Sequence, residues 1–484
     1  MKRKTPIQID KKTFQKIGYE LIDKVAHFMN IIDEKPVTTN KSNNEIASLI
    51  GTTSFPENGI SADELLSKTT DILMENSLLN GHPKFMGYIT SSPAPIGVLA
   101  DLLAATINPN VGAQILSPVA TEIEKQTIQW LAEFIGVSPA YGGILVSGGN
   151  MANFTGFLAA RTAKAPKGIK EKGVSNATNQ LTVYCSDTTH TWVEKAVILF
   201  GLGTDSVRWI PSDEQNKMRI DLLEKTISKD LKNGCTPMII IGTAGDVSTG
   251  SVDNLEEIAR VSKKYNSWFH IDGAYGVPAA IVPKYKALFK GIEDADSIAL
   301  DPHKWLYSPL EAGCALVKNP QHLIDTFSSH PEYYNFSDND HNFYEFGLQN
   351  SRGFRALKVW LALKQIGKNG YTQMINEDID LAKMLFDAAE NHPEMKAETH
   401  NLSIAAFRYY PEENLSEDYL NILNEQLLNV LQKGGELFVS NAVIKGKYCL
   451  RACIVNFRTS EKDIHEMIEI IVKEGKKLHN SLKK

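Results

Sequence analysis

Cysteine is scarce and scattered in this 484-residue chain: Cys185, Cys235, Cys314, Cys449 and Cys453 form an odd set with no Cys-x-x-Cys pair. That spacing argues against a disulfide framework and against a zinc site, and it predicts free thiols in a reducing cytoplasm. No run of about 20 apolar residues is present to cross a bilayer. The amino terminus opens on basic Met1-Lys2-Arg3-Lys4, but Thr5 to Lys16 is mostly polar where a secretion signal needs an apolar stretch. Basic excess is missing too. With a net charge of -6, neither nucleic acid nor an anionic membrane surface is an expected partner. Internal repeats and low-complexity tracts are also absent. What remains is an ordinary globular composition, 43% apolar and 22% charged, long enough for two or three lobes.

The chain is organised around Asp296-Ser297-Ile298-Ala299-Leu300-Asp301-Pro302-His303-Lys304-Trp305. Ser297 to Leu300 read as a short buried strand, and the Asp-Pro turn then hands His303, Lys304 and Trp305 to a loop at the strand's carboxyl end. Open α/β sheets keep their chemistry at that edge. A lysine there costs several kcal/mol unless it snorkels, is paired, or is stripped of its charge, as in a Schiff base.

Three further stretches share this pattern. Ile144-Leu145-Val146 predicts a strand, Ser147-Gly148-Gly149-Asn150 a tight turn and Met151 to Arg161 a helix, which together form an anion seat of free N–H groups at a helix start. The seat lacks the residues of a P-loop or a dinucleotide fingerprint. The strand Leu181 to Cys185 leads to His190, and Met238 to Ile241 leads to Gly242-Thr243-Ala244-Gly245-Asp246. Trp268-Phe269-His270-Ile271-Asp272-Gly273-Ala274-Tyr275-Gly276 delivers Asp272 to the same edge, followed by small residues that allow close approach of a flat ring. His270 and Asp272 share a strand face, but no third ligand follows at helical spacing, so no metal is expected.

Asp-Pro-His-Lys-Trp resembles the cofactor-lysine motif of the group II pyridoxal-phosphate (PLP) amino-acid decarboxylases, with greatest likeness to the aromatic-L-amino-acid, tyrosine and tryptophan decarboxylases. The resemblance runs from about Gly81 to Leu450-Arg451, with the motifs in their usual order. It implies a type I PLP fold: an aspartate-aminotransferase-like large domain with a mixed, mainly parallel sheet (89–366), a small carboxyl-terminal α/β domain (367–484) and a helical arm (1–88). The arm shows apolar stripes at Phe14, Ile17, Leu21, Ile22, Val25 and Phe28 and again over Ser61 to Leu79, separated by a polar loop from Val37 to Asn44. Such stripes need another lobe or subunit to pack on, and the resemblance implies an obligate homodimer.

Residue by residue, the resemblance makes Lys304 the Schiff-base lysine, Asp272 the partner of the ring nitrogen, and His190 and Ala274 the groups on the two ring faces. Gly149 and Asn150 would seat the phosphate, although the family usually has Ser or Thr where Asn150 stands. Thr243, Asp301 and His303 complete the expected cofactor contacts. Tyr88, Ile89, Ser91 and Ser351 are the expected substrate contacts, with Ile89 often aromatic in the family. Asp246 stands where Thr is common, and a carboxylate there is expected to sit near the cofactor and disfavour a nearby anion. The polar stretch from Ser328 to Asn342 resembles the family's flexible catalytic loop, and Tyr333 falls on its catalytic tyrosine. The reaction the resemblance implies is decarboxylation of an L-amino acid, aromatic by its greatest likeness, to the corresponding amine. Aliphatic or acidic substrates, an aldehyde synthase and a silent PLP-binding scaffold are the alternatives.

Overall fold

The computed structural model describes residues 5–51, 54–329, 340–412 and 414–483. Its centre is a seven-stranded sheet of β1 (Gly142–Val146), β2 (Leu181–Ser186), β3 (Val207–Ile210), β4 (Thr236–Thr243), β5 (Trp268–Asp272), β6 (Ser297–Leu300) and β7 (Gly313–Val317). The order is β1-β7-β6-β5-β4-β2-β3. β7 is antiparallel to both β1 and β6, and the remaining pairs are parallel. β1 therefore runs in the same direction as β6, and the carboxyl ends of β1, β2, β4, β5 and β6 share one edge. These strands are buried on both faces, which is why β4 reads as a continuous apolar run and shows no alternation. This is the mixed, mainly parallel sheet of the type I fold.

A second sheet, in the order β10-β11-β9-β8, is wholly antiparallel and uses β8 (Met395–Asn401), β9 (Ile404–Tyr409), β10 (Ser440–Ile444) and β11 (Lys447–Cys453). Its core is separate, built on Phe407, Leu423, Leu427, Leu450 and Ile471. The helix Ala356–Glu390 joins the two parts and breaks at Gly367, where φ is 67°. No helix among the described residues is long and apolar enough to cross a membrane.

The amino-terminal stripes form the helices Lys11–Asn30 and Ala62–Asn76, tied to each other by Lys16–Asp63 and Lys24–Asp71 ion pairs. The polar stretch expected as loop to Asn44 ends earlier, because Ser42 and Glu45 form a capping box that starts a helix at Asn43. Of the first helix only Ile17 is buried, leaving Phe14 and Tyr19 more than half exposed at 61% and 67%.

Candidate active site

The turn after β1 is shaped by close backbone approach. Gly148 has φ 140°, a conformation open to glycine, and a Cβ on Gly313 at the start of β7 would lie 2.6 Å from the Gly148 backbone. The helix Gly149–Lys164 therefore starts against the sheet edge with its first N–H groups free for an anion. A Cβ on Gly149 would meet Asp301 Oδ2 at 2.7 Å and the Ala274 Cβ at 3.1 Å, so the seat sits directly on the loops after β5 and β6.

Those loops supply the charges. Lys304 Nζ pairs with Asp301 Oδ2 at 3.1 Å, while Asp301 Oδ1 is buried with no partner among the described residues. Asp272, at the end of β5, is 7% exposed; it accepts from Trp192 Nε1 at 2.7 Å and from the Ala274 backbone N–H at 3.2 Å. A buried carboxylate is tolerated only with such donors. Thr243 Oγ1 lies 3.1 Å from Thr189 Oγ1, and His190 Nδ1 accepts from the Trp192 N–H at 3.3 Å, which leaves the proton of the neutral ring on Nε2.

These residues converge on one cavity of about 280 Å³, lined by Tyr88, Ile89, Gly149, Asn150, His190, Thr243, Asp272, Ala274, Asp301 and Lys304 among others. His303 and Ser91 lie next to it: Ser91 Oγ donates to the His303 carbonyl at 3.0 Å, and both line an adjoining cavity of about 530 Å³. The His303 ring is fixed by Nδ1, 2.7 Å from the Ala312 carbonyl, and burial pushes its pKa below the ordinary histidine value. Ser351 is exposed and lies outside the lining of both cavities. Tyr333 lies outside the described residues.

Asp246 stands at the cavity, as expected. Its carboxylate accepts from the backbone N–H groups of Ser248, Thr249 and Ser251 and from the hydroxyls of Thr249 and Ser251. The charge is turned into its own loop, which it closes as a cap. Sequence reasoning did not single out Asn153 or Tyr275 as wall residues, nor Trp192 as the donor to Asp272. Tyr275 stacks on Trp305 with centroids 5.0 Å apart and exchanges hydrogen bonds with Ser403 at the edge of the second sheet.

A family model described as the pyridoxal-dependent decarboxylase conserved domain matches residues 47–410, well over half of the chain. The chain belongs to this family. Among its relatives, the decarboxylase is 34% identical to an aromatic-L-amino-acid decarboxylase of Bacillus atrophaeus, over 96% of each chain. It is 30% identical to tyrosine decarboxylase 2 of Arabidopsis thaliana, over 97% of this chain and 88% of that one. The crystal structure of Oryza sativa TDC with PLP and tryptamine shares the fold, with a TM-score of 0.91 at 22% identity over 98% of this chain and 100% of the other. The enzyme is thus a pyridoxal-phosphate-dependent carboxy-lyase. The site fits that cofactor: a lysine amine for its aldehyde, a buried carboxylate, a glycine-bounded helix start for its phosphate, and an unpartnered buried oxygen on Asp301.

Proposed function

We propose that this decarboxylase converts an L-amino acid with an aromatic side chain to the corresponding amine and carbon dioxide. What carries the reading is the convergence of Lys304, Asp272, His190 and the Gly149-Asn150 helix start on one cavity. Bound pyridoxal phosphate supplies an aldehyde for the substrate amine and a cationic ring that accepts the electrons released when the carboxylate leaves.

In this reading Lys304 would hold the cofactor through its side-chain amine. Asp272, locked by Trp192, keeps the ring nitrogen protonated, because a buried carboxylate beside it favours the cation. His190 and Ala274 cover opposite ring faces, Gly149 and Asn150 seat the phosphate, and Thr243, Asp301 and His303 complete the cofactor contacts. Tyr88, Ile89 and Ser91 face the substrate, and Tyr333 returns a proton to Cα.

The identities of the relatives favour an aromatic substrate. So does the wall: among the described residues Lys304 is the only lysine or arginine in the cavity lining, so no second cation awaits an acidic side chain. We also infer a homodimer, supported by an exposed apolar face at Leu99, Leu102, Leu103 and Ile107 that continues through Ile115, Leu116 and Val119. Residence in a reducing cytoplasm agrees with the five free thiols.

The test is a panel of L-amino acids with pyridoxal phosphate, scoring carbon dioxide, amine, aldehyde and peroxide for the wild type and Tyr333→Phe. Amine from tyrosine, phenylalanine or tryptophan, with aldehyde appearing only in the variant, is the expected result. Aldehyde and peroxide from the wild type would make the enzyme an aldehyde synthase, and turnover of acidic or aliphatic amino acids alone would overturn the substrate assignment.

A further inference from the structure

Beneath the cavity lies a buried polar chain that the reaction described above does not use. Trp268 and His270 on β5, Ser297 on β6 and Asn153 in the helix Gly149–Lys164 are all at most 2% exposed. Trp268 Nε1 donates to Ser297 Oγ at 2.7 Å; Ser297 Oγ lies 2.7 Å from His270 Nδ1; His270 Nε2 lies 2.8 Å from Asn153 Oδ1. The β5–β6 register places His270 opposite Ser297. The helix is held close as well, since a Cβ on Gly156 would meet the His270 ring at 2.8 Å.

An indole N–H can only donate, and among the described residues His270 Nδ1 is the one acceptor within reach of the Ser297 hydroxyl proton, which together set the direction of the chain. Ser297 Oγ accepts from Trp268, so its own proton goes to His270 Nδ1. The imidazole proton then sits on Nε2 and donates to Asn153 Oδ1. The opposite sense would leave the buried Ser297 proton with no acceptor. Burial also drives the His270 pKa down to about 4, so the ring stays neutral at ordinary pH. With its oxygen taken by His270, Asn153 has its NH₂ group left for the cavity, whose wall it forms beside Lys304 and Asp272.

We propose that Asn153 is a cofactor-binding residue, its NH₂ group donating to an oxygen acceptor of bound pyridoxal phosphate, and that Trp268, Ser297 and His270 are positioning residues that fix its orientation. The proposal rests on the cofactor occupying this cavity with Lys304 as its anchor. It explains why two strands and a helix spend four buried polar side chains here, where apolar ones would pack more simply.

The test uses the full chain stripped of cofactor, with pyridoxal phosphate affinity read from fluorescence and apoprotein stability from urea unfolding. Asn153→Asp keeps the shape and the acceptor for His270 but replaces the cavity-side donor by an oxygen. It is expected to weaken cofactor affinity by about tenfold or more, the loss of one hydrogen bond plus a facing acceptor, with the urea midpoint little changed. The loss should shrink as pH falls and the introduced carboxyl is protonated, because it then donates again. Ser297→Ala, which frees the His270 tautomer without touching the cavity, should weaken affinity by a smaller factor. Wild-type affinity in Asn153→Asp at all pH values would overturn the proposal, as would a loss that tracks the urea midpoint and ignores pH. Borohydride trapping of cofactor on wild-type Lys304 separates this result from a failure of the underlying reading: absence of that adduct would sink both.

Discussion

Asp378 gives the sharpest quantitative prediction. It sits in the helix Ala356–Glu390, 3% exposed, and one carboxylate oxygen accepts from both Trp305 Nε1, at 2.8 Å, and the Tyr307 hydroxyl. These donors both follow closely after Lys304, so a single carboxyl pins the loop on the carboxyl-terminal side of the lysine; Tyr371 of the same helix adds a bond to the Leu306 carbonyl. Burial raises the Asp378 pKa to about 7, with the two donors opposing the rise. The unfolded chain ionises this group near the ordinary value of about 4. Below that, both states hold the proton and the stabilising contribution is complete; as pH rises towards about 7 the unfolded state alone has lost it, so stability falls, and above about 7 the difference is constant. About three pH units at about 1.4 kcal/mol each amount to roughly 4 kcal/mol. Asp378→Asn preserves an oxygen acceptor and has no proton to lose. Urea unfolding of wild type and variant side by side should therefore show the variant gaining about 3 kcal/mol relative to wild type between about pH 5 and about pH 8. Parallel pH profiles for the two proteins would refute the reasoning.

Two other substitutions probe the cavity. Trp192→Phe removes the donor to Asp272 and should cost about 1.5–3 kcal/mol of cofactor binding, roughly tenfold to a hundredfold in affinity, measured on the apoprotein. Gly149→Ala places a methyl group 2.7 Å from Asp301 Oδ2, and forcing that contact apart should weaken pyridoxal phosphate binding at least about tenfold; unchanged affinity would show that the seat can shift to make room.

Much of this was legible because short buried strands announce themselves. Ser297–Leu300, Leu181–Ser186 and Gly142–Val146 stand where apolar runs bounded by turn residues predict them. The places of Lys304, Asp272 and His190 at the ends of strands could be read directly, while their expected roles came from the family resemblance. Asn153 could not, since it is an interior helix residue whose orientation depends on His270 and Ser297, more than 100 residues away. For Asp246 the position was legible, since it lines the cavity, but the local N–H groups that hold its carboxylate were not. The early helix at Asn43–Ile50 was hidden by polar composition, although its capping pair was present in the sequence.

The antiparallel course of β7 has a consequence for the lysine. Because β6 and β7 are hydrogen-bonded neighbours, with Leu300 opposite Cys314, the segment between them is a hairpin connection, and both of its ends are anchored within one strand spacing. A crossover loop would be fixed through a distant helix and would have to be ordered when ligand arrives. Here the ordering entropy is met when the sheet forms, so the loop that carries Lys304 is held at both ends before any cofactor enters.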